Sequence, residues 1–129
     1  MTGAATPKAG WGDNPRVLLQ VRRTGRRAAR NLRNRTMISV IATVRAKPGM
    51  GSALEADFRE WAAVVKAREP GTLQYTLNRS REDADLYYAI ELYADDAAVQ
   101  AHMANFQARP PGPDVAAGPP EILVLDKVV

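Results

Sequence analysis

Hydrophobic and polar residues alternate along four short segments of the chain, and this pattern predicts four β-strands. The segments are residues 38–46, 72–78, 85–93 and 121–129. They are rich in β-branched and aromatic residues, and proline, glycine or charged turns separate them. The turn between the second and third segments is short and charged, so we expect these two strands to form an antiparallel hairpin.

The first of two helical segments follows the first strand. Its apolar stripe is formed by Leu54, Phe58, Trp61, Ala62 and Val65. This spacing is typical of an amphipathic helix. Ser52 followed by Glu55 predicts a capping box at the helix start, and Pro70 with Gly71 predicts its end.

The second helical segment follows the third strand. Asp95 or Asp96 is expected to cap it, and an acidic residue also suits the positive end of the helix dipole. One face of this helix carries Val99, His102, Met103 and Phe106. Residues 109–120 then hold five of the nine prolines, which predicts a rigid loop before the last strand.

The predicted order of elements is therefore βαββαβ. This order indicates an α+β, ferredoxin-like fold, in which a four-stranded antiparallel sheet carries two helices on one face. The other sheet face is also apolar, because the third strand places Leu86, Tyr88, Ile90 and Leu92 there. Burial of this face against a second copy is the simplest way to remove it from water, so we expect a homodimer.

Composition limits the chemistry of the chain. Its 129 residues suffice for one domain with a sizeable core. The absence of cysteine excludes disulfides, thiolate metal sites and cysteine nucleophiles. With His102 as the single histidine, a two-histidine zinc motif cannot be built within one chain, and we expect no metal site. No apolar run approaches the length of a membrane span, and we expect a cytoplasmic protein.

The charge is divided unevenly along the chain. Residues 1–36 contain eight arginines, one lysine and one aspartate, whereas residues 37–129 have a net negative charge. We predict that residues 1–36 are a basic, disordered extension and that residues 37–129 form the domain. The extension could be a solvated tail, or Met37 could be the true start. It could also contact nucleic acid or anionic lipid, or serve as a transit peptide or a secretory signal.

Three stretches of the domain resemble one known family. They are "MISVIATVRAKPGMGSALEADF", "EPGTLQYTLNRSREDADLYYAIELYADDAAVQAHMANFQ" and "GPPEILVLDKVV". Residues 37–129 thereby resemble the antibiotic biosynthesis monooxygenase domain family, whose members are dimeric α+β barrels similar to quinol monooxygenases. The most specific parts are the EPG-x-L-x-Y-x-L step that starts at Glu69 and the step from Glu91 to His102.

The resemblance implies a cofactor-independent monooxygenase that oxidises a quinol or polycyclic phenol with molecular oxygen. An electron-rich phenolate can itself give an electron to oxygen, so the protein need only deprotonate and hold it. The chain departs from the family pattern at Tyr93, where tryptophan is usual. Pro110, Pro111 and Pro113 also cut short the segment that follows the second helix, so the pocket mouth is expected to differ.

The resemblance also suggests candidate site residues. His102 is the expected catalytic base, because its ordinary pKa lies near neutrality, and Glu91 is expected to orient it or to serve as a structural partner. The expected walls of a small aromatic substrate's pocket are Phe58, Trp61, Tyr87, Tyr93, Met103 and Phe106. Trp61 and Tyr93 could instead be plain core, and His102 could be a hydrogen-bonded structural histidine.

Two other functions stay open from the sequence. The domain could be a non-catalytic dimeric barrel that binds a small aromatic ligand. It could also be an isomerase of a small phosphorylated signalling metabolite, although that function would need a cationic phosphate site, and the domain offers few candidates for one beyond its turn arginines.

Overall fold

The computed structural model describes residues 36–129, and the predicted basic extension, apart from Thr36, lies outside the described residues. The elements are β1 (Ile38–Arg45), α1 (Gly51–Arg68), β2 (Thr72–Arg79), β3 (Leu86–Tyr93), α2 (Asp96–Gln107) and β4 (Glu121–Asp126). All six elements predicted from the hydrophobic pattern are therefore present in the predicted order.

The four strands form one antiparallel sheet in the order β2-β3-β1-β4. This order, with both helices packed on the sheet, is the ferredoxin-like α+β fold that the sequence predicts. The sheet is open in the single chain, so β2 and β4 are its edges. At its centre Ile41 of β1 lies opposite Ile90 of β3 on one side and Leu123 of β4 on the other.

The sheet has one buried face and one face that the single chain leaves partly exposed. Strand β1 buries Ile38, Val40, Ala42 and Val44 beneath the helices, as its alternation predicts. The opposite surface, termed the outer sheet face, is formed by Ile41, Tyr88, Ile90, Leu92, Leu123 and Leu125. Leu123 and Leu125 are 51% and 42% exposed, so a continuous apolar strip faces solvent.

The helix starts differ in how well the sequence predicts them. The capping box at Ser52 and Glu55 is wrong, because α1 begins at Gly51 after Met50 and has no side-chain cap. A tight turn replaces the cap: the Met50 N–H donates to the Lys47 carbonyl at 2.9 Å, and Gly49 adopts a φ of 76° that suits glycine.

The start of α2 agrees with prediction. Asp95 is the N-cap, and its carboxylate accepts a hydrogen bond from the Ala98 N–H at 2.9 Å. The last strand is shorter than predicted and ends at Asp126. It pairs with β1, and β1 begins at Ile38, directly opposite Asp126. Among the described residues, no helix is long and apolar enough to cross a membrane.

Candidate active site

A cavity lies between α1, α2, β2 and the loop that precedes β4. Its volume is about 420 Å³, which lies within the range of pockets that bind small ligands. Aromatic side chains form much of its wall: Phe58, Trp61, Tyr75 and Phe106. Phe58 stacks on Tyr75 with ring centroids 4.7 Å apart, and Trp61 meets Phe106 edge to face at 5.5 Å. The cavity therefore suits a flat apolar ligand.

The loop at residues 109–120 closes one side of this cavity. It is irregular, as its prolines predict, but it lies on the domain and is held by backbone contacts. Ala116 forms an isolated antiparallel bridge with Ala46, and the Lys47 N–H donates to the Val115 carbonyl at 2.8 Å. The loop contributes Gly112, Pro113, Asp114, Val115, Ala116, Gly118, Pro119 and Pro120 to the lining.

Asp57 of α1 and Arg109 at the loop start form an ion pair beside the aromatic wall. The Arg109 Nη2 atom donates to Asp57 Oδ1, and the guanidinium carbon lies 5.1 Å from the centroid of the Trp61 ring. Both charged side chains are about one-fifth exposed. The ion pair and the cation–π contact together hold Arg109 in one orientation.

His102 lies deeper than the cavity wall and pairs with Glu69. Its Nδ1 atom is 2.7 Å from Glu69 Oε1, and both side chains are at most 5% exposed. Glu69 follows the last turn of α1 and also accepts hydrogen bonds from Thr72 Oγ1, at 2.8 Å, and from Asn105 Nδ2. Three donors from α2 and β2 thus converge on one carboxylate.

Burial and the contact with Glu69 together set the protonation state of the His102 ring. Burial lowers the pKa of His102 below its usual value, although the adjacent Glu69 carboxylate opposes the shift. The ring is therefore neutral near pH 7. Because a carboxylate only accepts, Nδ1 carries the proton and Nε2 carries a lone pair. Within residues 36–129, this buried Nε2 atom has no hydrogen-bond partner.

Glu91 has a different partner from the one its position on the strand suggests. The Tyr93 hydroxyl donates to Glu91 Oε2 at 2.6 Å, whereas the carboxylate that contacts His102 is Glu69. Burial raises the pKa of Glu91 to about 8, the Tyr93 hydrogen bond opposes this, and nearby Glu69 adds to the rise. Glu91 is therefore mostly protonated at neutral pH.

Tyr75 lies between the cavity and this buried polar cluster. It faces Glu91 across the β2–β3 pair, and its ring centroid is 5.2 Å from that of His102. Burial, with a contribution from Glu91, raises the pKa of Tyr75 well above its usual value. The Trp61 N–H is near enough to oppose this rise, although the pair does not reach hydrogen-bond geometry. Tyr75 is thus a neutral phenol that separates His102 from the cavity.

Glu91→Gln should make the domain more stable at alkaline pH. Because the folded state holds the Glu91 proton up to about pH 8, stability is greatest below the ordinary pKa of 4.5 and falls as pH rises from there to about 8. Glutamine stays neutral and still accepts from Tyr93. We expect its free energy of unfolding to exceed that of the parent by a few kcal/mol at pH 8, with the difference vanishing near pH 4.5.

Urea denaturation at the two pH values measures this difference. Glu60→Gln is the control, since it makes the same change on the exposed surface of α1 and should leave the pH dependence as it is. A Glu91→Gln protein that is less stable than the parent at pH 8 would contradict the assignment of a buried proton.

The cavity wall contains part of the residue set predicted from the sequence. Phe58, Trp61 and Phe106 line it. Tyr87 is instead fully buried in a core cluster with Val44, Leu54 and Val115. Tyr93 and Met103 belong to a second core cluster with Ile38, Val40 and Val99.

Four polar or aromatic side chains of the site are absent from the set that the sequence predicts. They are Glu69, which pairs with the histidine, Tyr75 in the wall, and the Asp57–Arg109 pair. Glu69 and Tyr75 both lie in the EPG-x-L-x-Y segment, so this motif is the feature of the sequence that could have identified them as site residues. Nothing in the sequence pattern singles out Asp57 or Arg109. Among residues 36–129, no three acidic, histidine or cysteine side chains are grouped so that they could hold a metal ion.

The fold and cavity define a class of small α+β proteins with an aromatic-lined pocket between the sheet and its helices. The family model for antibiotic biosynthesis monooxygenases matches residues 37–109, more than half of the chain. The chain therefore belongs to the antibiotic biosynthesis monooxygenase family. A search of curated proteins gives no match.

Solved structures agree with this membership. A candidate antibiotic biosynthesis monooxygenase from Caulobacter crescentus CB15 is 34% identical, with 78% of this chain and 98% of that chain covered and a TM-score of 0.61. PA3566 from Pseudomonas aeruginosa is 32% identical over 73% of this chain and 96% of that chain, with a TM-score of 0.59. NE2512 from Nitrosomonas europaea, a protein of unknown function, is 25% identical over 74% and 92%, with a TM-score of 0.55.

Proposed function

We propose that this chain is a monooxygenase that oxidises a quinol or polycyclic phenol with molecular oxygen and needs neither metal nor flavin. The observation that carries the proposal is the aromatic-lined cavity of about 420 Å³ adjacent to a buried, neutral histidine. An ionised electron-rich ring supplies the electrons that reduce one oxygen atom to water, while the other atom enters the product. No external reductant is then required.

In this proposal His102 is the base. Glu69 fixes the Nδ1–H tautomer, so the Nε2 lone pair can accept the proton of a substrate hydroxyl. Tyr75 and Phe106, which line the cavity, have ring centroids 5.2 and 6.3 Å from the His102 ring. One layer of side chains therefore lies between His102 and the cavity, and the proposed proton transfer crosses this layer through a water molecule.

Glu91 has a supporting role in this proposal. Because it is mostly protonated near pH 7, it adds little negative charge behind Tyr75 that would oppose formation of a phenolate in the cavity. A substrate bound against the aromatic walls displaces water from them, which strengthens the hydrogen bonds that the substrate makes.

The outer sheet face supports a second part of the proposal, a homodimer. Its apolar side chains are contiguous across three strands, since Ile41, Ile90 and Leu123 are direct neighbours in the register. A second copy offers an identical apolar face, and pairing the two faces removes both from water.

Oxygen uptake tests the activity. The full chain is mixed with a panel of hydroquinones and anthrones, with metal chelated and no flavin added, and oxygen consumption is recorded with an electrode. We expect consumption with at least one member and a product that carries one atom from labelled oxygen. Tight binding of these compounds without oxygen consumption would instead support a non-catalytic aromatic-binding barrel.

A further inference from the structure

The charged groups of the cavity lining are few. They are Asp57, Arg109 and Asp114, whereas the remainder of the described lining is aromatic, aliphatic, proline or glycine. Arg109 is the one basic residue among these lining residues, and it is paired with Asp57. A ligand that fills the cavity therefore meets strong hydrogen-bonding partners at the Asp57–Arg109 pair.

The Asp57–Arg109 pair retains hydrogen-bonding capacity after its own contact is made. A guanidinium has five N–H donors, and the contact with Asp57 Oδ1 uses one through Nη2. Asp57 Oδ2 is a further acceptor. Because Asp57 and Trp61 both contact the guanidinium, the pair offers a donor and an acceptor side by side.

The loop backbone lies directly against this pair. A Cβ atom at Gly112 would be 3.2 Å from Asp57 Oδ1 and 3.4 Å from Arg109 Nη2. The close approach of the chain at Gly112 therefore limits the space into which either side chain could move, and the pair is held in place from two sides.

The charge balance of the cavity lining disfavours an anionic ligand. Asp57 neutralises Arg109, and Asp114, which pairs with Lys47 at 2.7 Å, adds a second carboxylate to the lining. A ligand carboxylate would lose water and lie beside Asp57 with no unopposed cation to attract it. A neutral group with adjacent donor and acceptor matches the pair without this penalty.

We propose that the Asp57–Arg109 pair determines the ligand specificity of the cavity. The pair selects neutral aromatic ligands that carry an adjacent hydrogen-bond donor and acceptor, such as a carboxamide. It rejects the corresponding carboxylates. The carbonyl oxygen accepts from Arg109, and the donor reaches Asp57 Oδ2. This inference names the substrate class for the cavity of the proposed function. It concerns binding alone, so it can hold or fail independently of oxygen consumption.

Calorimetric titration of the full chain with two matched probes tests the proposal. The probes are an ortho-hydroxynaphthamide and the ortho-hydroxynaphthoate of the same ring, which differ in charge but little in shape. We expect the amide to bind at least about tenfold more tightly than the carboxylate at pH 7, because one like-charge contact distinguishes them.

Asp57→Asn is the decisive variant. It keeps the size of the side chain, removes the negative charge and leaves Arg109 unneutralised, so carboxylate binding should strengthen about tenfold or more and the preference should narrow or reverse. Glu55→Gln is the matched control: it removes the same charge from the same helix at a side chain outside the cavity lining, and the preference should stay as in the parent.

Three results would overturn the proposal. They are equal or tighter binding of the carboxylate by the parent, an unchanged preference in Asp57→Asn, and no binding of either probe. If circular dichroism shows that Asp57→Asn is unfolded, Arg109→Gln replaces it. That variant leaves Asp57 without its cation, so the carboxylate must lose more affinity than the amide, and equal losses would refute the assignment.

Discussion

Replacement of His102 by alanine should lower the turnover of an oxidised phenol by about 10²–10⁴-fold, the usual cost of losing a general base. The physical reason is that Glu69 contacts Nδ1 of His102, whereas the lone pair on Nε2 has no hydrogen-bond partner among residues 36–129. Oxygen-uptake assays at saturating substrate measure the change. Full activity in His102→Ala would show that the histidine is structural.

Stability has to be separated from chemistry in this test. Alanine leaves the buried Glu69 carboxylate with Thr72 and Asn105 as donors but without the ring, so some loss of stability is expected. His102→Gln is the companion variant, because its amide can still donate to Glu69 while it lacks a base. A large drop in turnover with both variants, alongside a folded protein by circular dichroism, assigns the base.

The pH profile gives an independent readout of the same group. Because the pKa of His102 is lowered below 6.5, turnover should rise with pH on the acidic side of that value and be level near neutrality. Glu69→Gln removes the charge that raises the pKa of His102 while still accepting from Nδ1. The acidic limb of the pH profile of Glu69→Gln should therefore shift to lower pH. A purely structural Glu69 would not produce this change.

The alternation of apolar residues suffices to predict the elements of the domain and the two faces of β3. It does so because the side-chain period of a strand is two and one face of the sheet lies under the helices. It fails at Ser52 and Glu55, because their capping-box spacing also occurs inside a helix that a preceding turn has already started.

The site is less predictable because its contacts join residues that are distant in sequence. The strand pattern puts Glu91 on the buried face of β3. Its carboxyl group, however, accepts a hydrogen bond from the hydroxyl of Tyr93, two residues along the same strand. His102 contacts Glu69, 33 positions earlier, which depends on how α1 and α2 lie across the sheet. The sequence likewise predicts a rigid loop at residues 109–120 but not that this loop forms one wall of the cavity.

The second large effect is expected at the outer sheet face. Ile90 lies at its centre, opposite Ile41 and Thr76, and is 38% exposed in the single chain. If a second copy covers this face, Ile90→Glu places an unpaired carboxylate in each half of an apolar interface. Burial of such a charge costs several kcal/mol, so the dimer should weaken by at least about 10²–10³-fold.

Sedimentation velocity at micromolar concentration measures this weakening. We expect a dimer for the parent and a monomer or aggregates for Ile90→Glu. Ala56→Glu is the control, because it adds the same charge on the exposed surface of α1 and should leave the dimer intact. A parent protein that sediments as a well-folded monomer at that concentration would contradict the proposed homodimer. The exposed strip of Ile90, Leu123 and Leu125 argues against that outcome, because a monomer seldom leaves so continuous an apolar surface in water.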